Sequence, residues 1–221
     1  MNTFFYGALP YIAFTIFIIG TIARFAFFER GWTTKSSEFL EKKQVRFAVP
    51  IFHLGLVMAL GGHLIGILVP KFVTETAGVN EEMYHMIALS GGIPAGALFV
   101  LGLLLCIVRR FSSDRLAVNT SSMDKILYAV LAFTILTGCW GTLSNIAGGF
   151  DYRESIAPWF RSLLMLSPDP SLMKAIPLPF ELHMCGWMLT AILFPFTRLV
   201  HCLSFPFVWL WRSRLVYRRR F

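Results

Sequence analysis

The chain has 221 residues, of which 56% are hydrophobic, 15% aromatic and only 14% charged. So few polar side chains cannot clothe a soluble globule of this size, which excludes a water-soluble domain and places the chain in a membrane. The formal net charge of +8 would suit a nucleic-acid binder, but the basic residues gather beside long apolar runs, and that placement argues against such a partner.

Five continuous apolar runs cover roughly residues 5–28, 47–70, 84–108, 124–147 and 180–203. Each is long enough for a transmembrane helix, which needs about 20 residues. They are rich in Leu, Ile, Phe and Ala without the alternation of a membrane β-barrel. The expected fold is an all-α bundle of five transmembrane helices forming a single domain over residues 1–221. Of the 20 Lys and Arg, all but Lys71, Arg153, Arg161 and Lys174 lie in or beside Arg24–Arg46, Arg109–Lys125 and Arg198–Arg220. By the positive-inside rule these basic regions face the cytoplasm, which puts the amino terminus outside and the carboxyl terminus inside. The opening MNTFFYGALPY lacks the basic region of a signal peptide, so the first run is expected to be a true span.

In chain order, the first run leads into ERGWTTKSSEFLEKKQVR (29–46), a solvated connection or a docking surface for a cytoplasmic protein. The second, VPIFHLGLVMALGGHLIGILV from Val49 to Val69, contains His53 and His63; Pro50 suits its first turn, where a missing amide hydrogen costs nothing. A short acidic loop ending in His85 precedes the third run, whose segment SGGIPAGA (Ser90–Ala97) allows close helix approach and whose Pro94 predicts a bend. The fourth run carries no histidine and reads as scaffold. In the long segment 148–179, WFRSLLML predicts an amphipathic helix lying on the membrane surface. The fifth run, FELHMCGWMLTAILFPFTRLVHCLS (Phe180–Ser204), holds His183 and His201. The tail WLWRSRLVYRRRF suits anionic lipid heads or a partner at the inner face.

Four of the 5 histidines thus sit in pairs on two membrane runs. An imidazole in hydrocarbon needs its nitrogens satisfied. Antiparallel alignment pairs His53 with His201 near the inner face and His63 with His183 near the outer face. The axial spacings do not match: ten residues span about 15 Å and eighteen span about 27 Å, so tilt and a bend at Pro195 must absorb the difference. A bare zinc or copper ion wants three or four ligands at one height. Two imidazoles at each of two levels is the axial demand of a six-coordinate, electron-transferring haem. Gly55, Gly61, Gly62, Gly66 and Gly186 are expected to make room for the macrocycles. The absence of CxxC and CxxCH among Cys106, Cys139, Cys185 and Cys202 excludes thiolate-held iron–sulfur clusters of ordinary spacing and covalent haem. Arg109, Arg110 and Arg198 are topology anchors or propionate partners. The bland alternative is a transporter or scaffold with histidines as interhelical bonds.

With these residues in view, the chain resembles the gamma subunit of membrane-bound respiratory nitrate reductases, a dihaem cytochrome b. The likeness is strongest in FHLGLVMALGGHLIGILVP (Phe52–Pro70), in LHMCGWMLTAILFPFTRLVHCLSFP (Leu182–Pro206) and in RRFSSDR after the third run. The resemblance implies two b haems, a distal one on His63 and His183 and a proximal one on His53 and His201. It implies quinol oxidation beside the distal haem, with Gly62 and His63 at matching positions. The basic residue that the family carries just before the third helix is not a lysine here, and His85 or Tyr84 takes its place. It further implies docking to an iron–sulfur beta subunit and a molybdenum-containing alpha subunit on the cytoplasmic side, in a cell inner membrane. A related cytochrome b serving a sulfite or heterodisulfide type of reductase is the second redox reading.

Overall fold

The computed structural model describes residues 3–28 and 37–203. The basic tail, and residues 29–36 of the first loop, lie outside the described residues. All regular structure among the described residues is helical. Helix α1 (Leu9–Phe27) is entered through one π-helical turn, Phe4–Ala8. Helix α2 spans Val45–Leu68, the short α3 Lys71–Thr76 and α4 Glu81–Ser112. Then come the short α5 (Asp114–Val118), α6 (Ser122–Ser144), α7 (Ile156–Leu164) and α8 (Leu178–Leu193).

The starts of these helices are written in capping chemistry. The Asn80 side chain accepts the Met83 amide at 2.8 Å, and Glu81 and Glu82 place negative charge at the positive end of α4. Ser121 and Asp124 close a reciprocal capping box on α6. Pro50 lies inside α2, which begins five residues earlier at Val45. The sequence-based expectation that this helix begins at the proline is corrected here.

Among the described residues, four helical stretches are long and apolar enough to cross a membrane: Phe4–Phe27, Val45–Leu68, Glu81–Ser112 and Ser122–Ser144. The fifth expected span is not one continuous helix. Helix α8 is 16 residues long and is followed by 3₁₀ turns at Phe194–Phe196 and Arg198–Leu203, with Thr197 extended between them. The cause is Pro195, which has no N–H to give and whose ring obstructs a helical path. The carbonyls left over are satisfied from α1: Arg24 donates to the oxygens of Pro195 and Thr197 at 2.6 and 2.7 Å.

Glycine sets how closely the helices approach. A Cβ on Gly55 would overlap the backbone at Phe99, and one on Gly102 would overlap the backbone at Phe52, so α2 and α4 touch main chain to main chain in antiparallel register. Large apolar side chains such as Ile19, Ile22, Val57, Leu64 and Ile87 face outward, as a lipid-facing surface requires. The main buried cluster lies at one end, where Ile156, Trp159 and Leu163 of α7 meet Tyr6, Met173 and Ile176. Helix α7 therefore does not lie with its apolar face on lipid, as its pattern suggested. That face is committed to the protein, with the Trp159 indole donating to the Tyr6 carbonyl at 2.8 Å and Arg161 donating to the Ile67 carbonyl at 2.7 Å. The exposed apolar residues are the three that end and follow it: Leu164, Met165 and Leu166.

Candidate functional site: two imidazole pairs

The bundle brings the four membrane histidines together as two pairs. Toward the end that holds α7, the ring centres of His63 (α2) and His183 (α8) are 5.6 Å apart. Toward the end rich in arginine, His53 (α2) and His201 are 6.1 Å apart. The mismatch in axial spacing disappears because the chain leaves the helical path at Pro195 and carries His201 to the depth of His53.

Each of the four rings is oriented in the same way. The Nδ1 of His53 bonds the Val49 carbonyl at 2.8 Å, that of His63 the Ala59 carbonyl at 2.6 Å, that of His183 the Thr134 carbonyl at 2.8 Å, and that of His201 the Arg198 carbonyl at 2.6 Å. A carbonyl only accepts, so Nδ1 carries the proton in every ring and Nε2 presents its lone pair. This is the arrangement of metal-bound histidine, in which the remote nitrogen is held by a backbone carbonyl. Iron–imidazole bonds of about 2 Å on either side of one metal put ring centres roughly 6 Å apart. Both pairs fit that requirement. Across the His183 pair, the Trp187 indole donates to His183 Nε2 at 3.0 Å, and its ring is 5.8 Å from that of His63. Ligation through His183 requires this indole to give up its acceptor.

The glycines divide differently from the sequence expectation. Gly61 and Gly62 have no neighbouring atom within 4 Å of where a Cβ would stand. Gly55 serves the contact with α4, Gly66 faces the hydroxyls of Tyr152 and Tyr84, and Gly186 faces Thr134. These three fit helix packing rather than clearance for a cofactor. Helix α6, expected to be plain scaffold, supplies the Thr134 carbonyl and also Gly138, where a Cβ would stand 2.7 Å from the His183 ring. Sequence reading missed Thr134, Gly138 and Trp187; the two glycines of GCWG, Gly138 and Gly141, were the available signal for one of them.

The three arginines also separate. Arg109 is bound by Glu41 at 2.6 Å and by Ser37, tying the first loop to the end of α4. The amides of Gln44 and Val45 join Arg109 in holding the Glu41 carboxyl below its usual range, against the opposing effect of burial. Arg198 is bound to Asp124 at 2.7 Å. Arg110 is 3% exposed and makes no ion pair among the described residues.

His85 stands apart from the pairs, its Nε2 donating to the Ile146 carbonyl at 3.1 Å. It lines a cavity of about 340 Å³ at the α7 end, together with Tyr84, Tyr152, Glu81, Glu82 and Asp151. Lys71 reaches Glu81, Asp151 and Glu154 at 2.9, 3.1 and 2.5 Å. Those three carboxylates have the spacing of a cation site, but the lysine already supplies the charge. Glu154 and Glu81 hold the Lys71 ammonium well above its ordinary range.

An apolar helical bundle with two facing imidazole pairs, each ring backed by a carbonyl, defines the class of multi-pass membrane proteins equipped to hold metal-centred cofactors between helices. The profile of the nitrate reductase gamma subunit family matches residues 2–220, and the chain belongs to that family. It is 44% identical to the nitrate reductase gamma chain of Bacillus subtilis over 97% of both chains. It is 30% identical to the respiratory nitrate reductase 1 gamma chain of Escherichia coli over 100% of this chain and 98% of that one. A 36% match to the nitrate reductase-like protein NarX of Mycobacterium tuberculosis covers 100% of this chain but 34% of that protein. The protein is thus a multi-pass membrane subunit of an oxidoreductase, which displaces the transporter and scaffold reading.

Proposed function

We propose that this subunit holds two b haems, oxidises quinol beside the distal one, and passes electrons inward to an iron–sulfur beta subunit and a molybdenum-containing alpha subunit. The observation that supports it best is the shared orientation of four imidazoles, paired at 6.1 and 5.6 Å with every Nδ1 committed to a carbonyl. His63 and His183 would hold the distal haem, and His53 and His201 the proximal one. Bis-histidine haem supplies one-electron transfer without an open position for oxygen.

The chain's own residues supply placement. Carbonyls fix the ring orientation, α2 and α8 set the separation of each pair, and Arg24 secures the break that carries His201 to its depth. Of the three nominated arginines, Arg110 is the one whose charge is not spent on a described ion pair, and it is the best propionate partner. Gly62, beside His63 with open space before it, and His85, with a free Nδ1, suit the quinol site.

In this reading α7 covers the outer face, the arginine-rich end faces the cytoplasm, and the helix α8 with its 3₁₀ continuation makes the fifth crossing of the cell inner membrane. The family match favours nitrate reductase over the sulfite and heterodisulfide relatives. The test is a reduced-minus-oxidised spectrum and haemochrome assay of the purified chain. Two b haems per chain are expected, with His63→Ala losing one and His201→Ala the other. A colourless protein, or one haem that survives both replacements, overturns the proposal.

A further inference from the structure

Quinol oxidation releases protons as well as electrons, and a proton leaving a site inside the membrane needs a polar route to water. At the α7 end, two tyrosines from distant parts of the chain meet: the hydroxyls of Tyr84 and Tyr152 are 3.0 Å apart, and either is able to donate. Both hydroxyls lie against Gly66 of α2, close enough that a Cβ there would overlap Tyr152 and stand 3.0 Å from Tyr84. Gly66 follows His63 by three residues, so the two positions are neighbours on one helix face, about 5–6 Å apart at Cβ. The tyrosine pair therefore sits one helical step from the distal imidazole. On its other side the pair lines the 340 Å³ cavity that includes Glu81, Glu82 and Asp151. That volume has room for on the order of ten waters.

The surroundings hold the pair in place. The Arg153 guanidinium stacks 3.7 Å from the centre of the Tyr84 ring, and Arg153 is itself bonded to Asp151 and Thr74. Lys71 occupies Glu81 and Asp151, whereas Glu82 has no ion pair or side-chain hydrogen bond among the described residues. Glu82 is therefore the carboxylate of the cavity lining that no described cation already occupies.

We infer that Tyr84 and Tyr152 form a proton relay from the quinol site beside His63 to the acidic cavity, with Glu82 as its terminal acceptor. The inference rests on the quinol-oxidising reading above. As the quinol O–H bond breaks, its proton forms an O–H bond to one phenol oxygen. That phenol passes its own proton to the second phenol, whose proton passes to water in the cavity and from that water forms an O–H bond to the Glu82 carboxylate. Both tyrosines end as they began. Quinol becomes quinone by giving up two protons and two electrons, and a haem held by His63 and His183 would be the one-electron acceptor beside the site. Burial, and a hydrogen bond in which Tyr152 donates to Tyr84, push the Tyr152 phenol far above its usual range, so it hands protons on without resting as a phenolate.

The test uses the assembled enzyme in membranes, with Tyr152→Phe, Tyr84→Phe and Glu82→Gln, and follows quinol-driven haem reduction in H₂O and D₂O. Each tyrosine variant is expected to keep its haem spectrum and quinol KM while the rate of haem reduction falls on the order of tenfold to a hundredfold, with a larger solvent isotope effect. Glu82→Gln should slow it less. Wild-type rates in both tyrosine variants overturn the relay, as does a slow rate that comes with lost haem or a raised KM, since that marks a structural role. Failure of the parent enzyme to oxidise quinol would instead refute the reading beneath it.

Discussion

Gly186→Ala tests the claim that α6 orients His183. In the parent, a Cβ at this position would stand 2.5 Å from Thr134 Oγ1 and 2.9 Å from Thr134 Cα, where ordinary contact begins at 3.4 Å. The hydroxyl has little freedom to yield, since it already donates to the Val130 carbonyl at 2.8 Å. The backbone atom cannot rotate away at all. Helix α8 must retreat by about 0.5–0.9 Å, and overpacking of this kind typically costs about 1–3 kcal/mol. The same retreat stretches the His183–Thr134 bond from 2.8 Å toward roughly 3.3–3.7 Å, beyond the ordinary N–H···O range. Loss of such a partner usually lowers metal affinity about 10- to 100-fold. On the proposed dihaem reading, haem titration of the purified variant should show the haem of His63 and His183 weakened by that factor and the other unchanged. Wild-type affinity for both haems, with an unchanged Tm, would refute the assignment of Thr134 as the orienting group.

Further outcomes follow from other contacts. Gly62→Ala meets no protein atom within 4 Å, so the chain should fold and bind haem as the parent does while quinol oxidation drops several-fold; unchanged turnover would remove Gly62 from the quinol site. Arg24→Gln leaves the carbonyls of Pro195 and Thr197 short of a charged donor, a loss of about 1.5–3 kcal/mol, and should weaken only the proximal haem in the same titration. Trp187→Phe deletes the N–H that competes for His183 Nε2 and should speed or tighten distal haem uptake, read by stopped-flow haem binding. Lys71→Met tests the ion cluster through pH. The raised pKa of Lys71 keeps its contribution whole below about 10.4 and loses it as pH rises through the elevated value. For Asp151, burial acts upward but the Arg153 amide and Lys71 outweigh it, so that contribution is whole above about 3.9 and is lost as pH falls through the depressed value. The Tm difference between parent and variant should therefore be largest between about pH 4 and pH 10 and shrink at both extremes.

Much of this architecture was legible because hydrocarbon imposes simple demands: long apolar runs must be helices, and a histidine inside one must have a partner. The approach of His53 to His201 and of His63 to His183 followed from antiparallel order alone. What was hidden was local. The arithmetic of an uninterrupted helix placed His201 too far along the axis, because a proline signals a bend without stating that the helix ends there. Glycines near histidines looked like cofactor clearance, but Gly55, Gly66 and Gly186 answer to neighbouring chain segments that no single-sequence pattern reveals. The amphipathic stripe of α7 was read correctly as apolar on one side; which apolar medium receives that side is a tertiary fact. The carbonyl of Thr134 left no trace, since every residue has a carbonyl.

That last point bears on how the protein is built during synthesis. His53, His63 and His201 each borrow their acceptor from three or four residues earlier in their own segment, so those rings are aimed as soon as the local turn forms. His183 alone borrows from a segment made 49 residues before it. Its imidazole cannot be aimed until the two segments have met in the bilayer. The His63–His183 pair is thus set only once α6 and α8 have packed against each other, whereas the other pair takes its ring orientations from turns that form locally.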